Sequence, residues 1–350
     1  MRILIIGTPK VSPDAVKCYS DMWMYHLCEA FRSLGVELIF HEPYKPEQEP
    51  LEYAKSILAM LTHQKANAIL APGVRYFTHI PEAIGLFLRQ HSPVLVTQIY
   101  DGSLLDNAAV DITFTVRDDT WRFHNDVSRL ARHNANNVHI GWAADPSLFY
   151  PEARRGRQLR IFIDHAAFDV SGYDFSLTIM MNLQKLKALG VGFQARTLTD
   201  EGLVDVDPED IVVRPYHRKS VPAPVFAAEL RQADIFIVTH PESLGLTVLE
   251  AAMCGALIIA PPNCIPPDRL ALVEHYVMSK SIIDWTQVLN GRDRQAISDR
   301  VSECTWSAVA SKILITLENK RAISILRSVG VDNVPASTGD GSCNFPLGSQ

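Results

Sequence analysis

Residues 233–262 read ADIFIVTHPESLGLTVLEAAMCGALIIAPP, and their order decides the fold. A short apolar run (DIFIV, 234–238) leads into a polar loop (THPES). A helical stretch (LGLTVLEAAMC, 244–254) follows and stops at Gly255. A second apolar run (ALIIA, 256–260) comes next. Brief, nearly continuous apolar runs separated by a helix are the pattern of neighbouring parallel strands joined by a crossover. In such a sheet ligands lie beyond the carboxyl ends of the strands, which puts the loop before Leu246 on the ligand side.

The residues of that loop and helix suggest a chemistry. Gly245 lets backbone approach a ligand closely, and the free N–H groups of a helix start suit a diphosphate. Glu242 sits at the mouth of the loop and Glu250 eight positions later. If both positions were helical, the carboxylates would lie along one side, ~12 Å apart. A carboxylate in the loop suits the hydroxyls of a sugar. A deeper one suits the two hydroxyls of a ribose, as acidic residues do in dinucleotide folds. The same two glutamates also fit a plainer assignment, a solvated helix start and a second surface carboxylate.

Working outward, the same alternation runs through the chain. Strands are expected at 2–7, 36–41, 66–71, 93–97, 112–116 and 138–140, with helices at 21–34, 51–63 and 81–90. Residues 145–158 (DPSLFYPEARRGRQ) have no periodicity and read as a linker. A second series places strands at 159–164, 192–195, 210–214, 234–238 and 256–260, with helices at 175–189, 222–232 and 246–254. After Asp268 the chain reads as helical to about Ser328. The expected fold is α/β, two doubly wound Rossmann-like lobes facing across a cleft. The N-terminal lobe covers 1–144, the linker 145–158, and the C-terminal lobe with its closing helices 159–330. The stretch 331–350, rich in Gly, Ser, Asn and Pro, reads as a flexible tail.

Composition narrows the partners. The 350 residues carry 33 Lys and Arg against 39 Asp and Glu, a net charge of −6, and are 47% hydrophobic. That balance gives no global attraction to nucleic acid or anionic lipid. Six cysteines form no CxxC pair, and no Cys/His cluster has metal-site spacing. The N-terminal MRILIIGTPK reads as a first strand rather than a leader, and no apolar run approaches the ~18–20 residues of a membrane span. A soluble cytoplasmic protein with no metal is expected.

The stretch PESLGLTVLEAAMCGALIIAPP resembles the donor-binding signature of retaining GT-B glycosyltransferases, E-[GS]-[FL]-G-L-x-x-x-E-A-M-A-x-G-x-P-V-I-A. Two further places are similar to that family. AADPSLFYPE (143–152) resembles its linker, with Asp145, Phe149 and Pro151 in register, and TWSAVASKILITLE (305–318) resembles its closing helix. The resemblance implies a GT-B enzyme with a nucleotide-diphosphate sugar in the C-terminal lobe and an acceptor in the other. The acceptor is a glycan, a lipid-linked sugar, a small molecule or a protein. Glu242 would contact the donor sugar and Glu250 the ribose. Amides around Ser243, Leu244, Gly245 and Leu246 would face the diphosphate or the sugar. No metal and no further cofactor is implied.

Three places depart from the family pattern. The first strand usually feeds a Gly-Gly loop, whereas IIGTPKVSP has only Gly7. The loop after the first strand of the second lobe usually holds an Arg and a Lys. Here IDHAAFDVSGYD offers His165 between two aspartates, and the replacement charge is expected from Arg214 and Arg218 in RPYHRKS. A histidine usual near the donor sugar is missing from VLVTQIYDGS, where Asp101 is the nearest polar substitute. It would orient the acceptor hydroxyl or act as base. These departures keep a second possibility open, a non-catalytic or sensing protein that binds a sugar nucleotide. An epimerase of the same fold is a third.

Overall fold

In a computed structural model, the described residues are 1–7, 22–71, 82–100, 109–116, 137–153, 158–164, 176–199, 202–207, 221–239, 245–262, 264–265, 267–277, 283–290 and 293–328. They form two six-stranded sheets. The first comprises β1 (Arg2–Ile6), β2 (Glu37–His41), β3 (Ala68–Ala71), β4 (Leu95–Tyr100), β5 (Ile112–Thr115) and β6 (Asn137–His139). Its order is β2-β1-β3-β4-β5-β6, all parallel. The second comprises β7 (Leu159–Ile163), β8 (Phe193–Thr199), β9 (Gly202–Asp205), β10 (Ile235–Ile237), β11 (Leu257–Ala260) and β12 (His275–Val277). Its order is β12-β11-β10-β7-β8-β9, parallel except for the β8–β9 pair. The first sheet reverses direction of growth between β1 and β3, the second at its centre between β7 and β10.

The strands are apolar throughout because both sheet faces are covered. In β1, Ile3 and Ile5 enter one core while Leu4 and Ile6 enter another on the opposite face. In the second sheet Phe236 and Ile258 face one core, and Ile235, Ile237, Leu257 and Ile259 the other. Period-2 alternation in a wholly apolar strand therefore sorts residues between two cores rather than between core and water.

The lobes are tied where the chain crosses between them. Ala144 pairs with Thr305 as an isolated parallel bridge, and its N–H donates to the carbonyl of Cys304 at 3.0 Å. The outgoing and returning segments thus run side by side. The outgoing one is pinned by Phe149, fully buried in a core of the second lobe. The returning helix, Trp306–Ser328, was expected with the second lobe. Instead its Val309, Ala310, Ile313 and Leu317 pack into the first-lobe core beside Leu27 and Phe31 of the Met22–Ser33 helix. Their spacing sets one stripe of the helix against that core.

Two other expectations need correction. The region after Asp268 is not one helical run. It holds the short helices Pro267–Leu270, Trp285–Leu289 and Arg294–Asp299, with edge strand β12 between the first two. Asp284 accepts from the N–H of Thr286, and Asp293 from those of Gln295 and Ala296, so each starts a new helix as its N-cap. The second correction is β9, which pairs antiparallel with β8. The strand expected at 210–214 lies outside the described residues.

Candidate functional site

The sequence-predicted site lies at the centre of the second sheet, beyond the carboxyl ends of β7 and β10. There the strand order reverses, which is where sheets of this kind bind ligands. Asp164 directly follows β7 and Thr239 lies just past β10, both about 1% exposed. The Asp164 N–H donates to the Ile237 carbonyl at 2.8 Å, and the Thr239 hydroxyl donates to the Asp164 carbonyl at 3.1 Å. These bonds knit the two strand ends together.

Gly245 initiates the helix that faces this crevice. Its φ of 64° lies in the left-handed region, and the helix runs Leu246–Met253. A side chain at 245 would be strained by that φ alone, so glycine is the residue the turn requires. All eight helical residues are buried, and the first turn contains no acidic residue. The positive end of its dipole is therefore not countered by an acidic side chain within that turn.

Glu250 is the fifth residue of this helix and is only 4% exposed. The helix begins at Leu246, so helical geometry counts from there and Glu250 lies about one turn in, roughly 6 Å along the axis. Its burial removes the surface-carboxylate assignment. A carboxylate kept from water is costly unless it meets donors.

Gly7 follows β1, the strand beside edge strand β2 in the first sheet, with φ 145° and its N–H bonded to the His41 carbonyl at 2.8 Å. A Cβ there would come within 3.1 Å of the Met24 methyl. The remaining predicted residues, Glu242, Ser243, Leu244, Asp101, His165, Arg214 and Arg218, lie outside the described residues.

Two side chains that sequence reasoning passed over stand beside the helix start. Arg269 is fully buried, its guanidinium 4.2 Å from the centre of the Trp142 ring. It donates from Nη2 to the carbonyl of Val116 at 2.5 Å, so a second-lobe cation is fastened to the end of first-lobe strand β5. A side chain on Gly245 would lie against both Trp142 and Arg269. The only sequence signal for Arg269 is its place after β11, in the turn CIPPDRL.

The crossover carries a second polar device. His26, 6% exposed, has Nδ1 3.0 Å from Oδ2 of Asp145 and stacks on Trp306. Asp145 also accepts from the N–H and hydroxyl of Ser147. Burial alone would raise the Asp145 pKa, but the bonds from His26 and Ser147 outweigh it and hold the carboxyl below its ordinary value. Three elements therefore converge on one His–Asp pair: the first-lobe helix, the outgoing crossover and the returning helix. Among the described residues no group of three or more His, Cys, Asp or Glu could hold a metal ion, and no helix is long and apolar enough to cross a membrane.

No family model and no curated protein matches the chain. Solved structures do. Sucrose-phosphate synthase from Thermosynechococcus elongatus superposes with TM-score 0.62 at 13% identity, over 92% of this chain and 99% of that one. A putative UDP-N-acetylglucosamine 2-epimerase from Listeria monocytogenes gives 0.57 at 11% identity, over 92% and 97%. The lipopolysaccharide outer core galactosyltransferase WaaB gives 0.53 at 11%, over 93% and 100%. At such identities the likeness concerns architecture alone. Two doubly wound α/β lobes matched over nearly their whole length to these structures make the fold of this chain GT-B.

Proposed function

We propose that the chain is a retaining glycosyltransferase that moves a sugar from a nucleotide-diphosphate donor in the second-lobe crevice to an acceptor held by the first lobe. The observation that carries this is Glu250. It is a buried carboxylate one turn inside a glycine-initiated helix, at the direction reversal of a parallel sheet, in a GT-B fold. The two hydroxyls of a ribose are the donors that suit such a carboxylate, and the helix start beside it suits a diphosphate. Structures of this fold from other proteins hold such ligands. The Neisseria meningitidis epimerase was solved bound to UDP-GlcNAc, and Anabaena HepE with UDP and glucose. A UDP-sugar is therefore the first donor to test.

In this mechanism the donor ribose bonds to Glu250. The amides from Ser243 to Leu246 and the side chains of Arg214, Arg218 and His165 meet the diphosphate as its negative charge grows. Gly7 leaves room for the donor at the first sheet. Glu242 holds hydroxyls of the sugar, and Asp101 orients the acceptor hydroxyl. The acceptor attacks the face from which the diphosphate departs, through an oxocarbenium-like state, and the departing phosphate takes the acceptor proton. The protein contributes positioning and fixed dipoles, and no step is assigned to a metal.

A second possibility, binding a sugar nucleotide without turnover, is favoured by residues 164–174, which contain neither Arg nor Lys. The test is release of nucleoside diphosphate from a panel of UDP-, GDP-, ADP- and TDP-sugars, with and without simple acceptors. The transferase account expects turnover of one donor, lost in Glu242→Ala and Glu250→Ala. Binding without turnover supports the second possibility, and an epimerised sugar with no nucleotide release would identify an epimerase. Unchanged turnover in both variants would remove the glutamates from the mechanism.

A further inference from the structure

The lobes meet where the helix that starts at Leu246 approaches the carboxyl ends of the first-lobe strands. Leu246 lines a small apolar space of ≈ 40 Å³ together with Ile99, Val116, Ile140 and Trp142. Apolar contact of this kind holds surfaces together but is non-directional, so by itself it does not fix their register. A directional tie does, and one side chain provides it.

Arg269 sits in the short helix Pro267–Leu270, after β11, and is fully buried. Its guanidinium meets three places at once. Nη2 donates to the Val116 carbonyl of the first lobe at 2.5 Å. The group lies 4.2 Å from the centre of the Trp142 ring. Nη1 would be 3.5 Å from a Cβ on Gly245, so the guanidinium stands against the helix start as well. The other polar ties between the lobes described above, at Ala144 and at the His26–Asp145 pair, involve the crossing segments. Arg269 and Val116 are 153 positions apart and belong to neither crossing segment. Burying a guanidinium also costs more than burying an apolar side chain of similar size, which makes cohesion alone a poor reason for an arginine here. A planar group with donors in a fixed fork is suited instead to holding one geometry.

We propose that Arg269 is a positioning residue for glycosyl transfer, holding the Gly245 helix start, and with it the donor, in one fixed place relative to the acceptor lobe. The inference rests on the glycosyl-transfer function proposed above and adds the part that aligns donor with acceptor. Being fully buried, Arg269 acts through Gly245 and Val116 rather than by touching the ligand. A misplacement of about 1 Å costs on the order of 10²-fold in rate. Loosening this tie is therefore expected to slow transfer and to leave nucleotide binding intact.

The test uses the full chain with Arg269→Lys and Arg269→Met. Lysine keeps the charge and a donor but not the planar fork, whereas methionine keeps an unbranched side chain and loses both charge and donor. Calorimetry with UDP, GDP, ADP and TDP gives the affinity and counts the competent sites. Nucleoside diphosphate release is then measured per site on the same donor and acceptor panel as above. Both variants are expected to bind the native chain's nucleotide within about 2-fold and to keep its donor KM, while kcat per site falls at least about 10-fold in Arg269→Met and less in Arg269→Lys. Fewer sites with an unchanged kcat per site would mean that Arg269 only supports folding, and overturns the proposal. A parallel loss of affinity and kcat overturns it too, because Arg269 would then act on donor binding. If circular dichroism shows that Arg269→Met does not fold, Arg269→Lys carries the test, and an unchanged kcat per site in that variant overturns the proposal. Turnover by the native chain with unchanged turnover in folded variants defeats the positioning role alone. A native chain that turns over no donor defeats the glycosyl-transfer function and, with it, the positioning role.

Discussion

The carboxyl-end crevices of the two lobes share a topology and differ in chemistry. Beyond the second sheet stand buried polar groups, Asp164, Thr239 and Glu250, with the helix start at Gly245. Beyond the first sheet stand Ile99, Val116, Ile140 and the Trp142 ring. The polar groups stand at the reversal between β7 and β10, whereas the apolar ones stand past β4, β5 and β6, away from the reversal between β1 and β3. What a crevice binds is decided by the few residues just past the strand ends. The contrast teaches that the residues just past the strand ends, and not the strand order, set the polarity of each lobe's carboxyl end.

Arg269 belongs to both crevices, so removing it is the most damaging way to break the contrast. Arg269→Ala deletes a fully buried side chain, its stack on Trp142 and the bond to Val116. A stability loss of about 3 kcal/mol is expected in urea unfolding, from the void and the unsatisfied carbonyl together. Arg269→Lys keeps the charge but not the planar stack, and about 1 kcal/mol is expected to be lost. Equal losses in the two variants would mean that the stacked geometry is unimportant.

Gly245→Ala sharpens the contrast from the second-lobe side. The left-handed φ of 64° would burden alanine by about 1–2 kcal/mol, read as a lower midpoint in urea. Nucleotide affinity is expected to fall with it. A destabilised Gly245→Ala protein that binds nucleotide like the native chain would remove the helix start from the binding account.

The smallest effect is expected at the crossover. Because the Asp145 carboxyl titrates below its ordinary value in the folded chain, its stabilising contribution is complete above the unfolded-state pKa. It is lost as pH falls through the lower, folded value. Unfolding curves from about pH 6 down to about pH 2 should therefore show a shallower acid loss in Asp145→Asn than in the native chain. Identical slopes would remove the pair with His26 from the account of how the lobes are joined.

Much of this architecture is legible in the sequence, for a definite reason. Strands buried on both faces, such as RILII, LRIFI and LIIA, announce themselves as unbroken apolar runs. The edge strands β9 and β12 do not, because they are three or four residues long and half exposed. The site divides in a similar way. The places of Gly245 at the helix start and Glu250 within the helix are legible because strand, loop and helix are contiguous in sequence. Arg269 is not, because its partner Val116 is 153 residues away in sequence. The His26–Asp145 pair likewise joins two segments that no local pattern connects. The packing of the closing helix on first-lobe residues is not legible either, because an apolar stripe shows only that a helix packs, not against which core.

The central claim is that the buried Glu250 holds the ribose of a nucleoside-diphosphate ligand. Calorimetric titration of UDP, GDP, ADP and TDP into the native chain and into Glu250→Gln tests it most directly, since glutamine keeps the shape and removes the charge. The account predicts that one nucleotide binds the native chain and that Glu250→Gln, equally folded, binds it at least 10-fold more weakly. That ratio follows from about 1.5–3 kcal/mol for hydrogen bonds to a charged group. Native affinity retained in Glu250→Gln, or no nucleotide bound by the native chain, would contradict it.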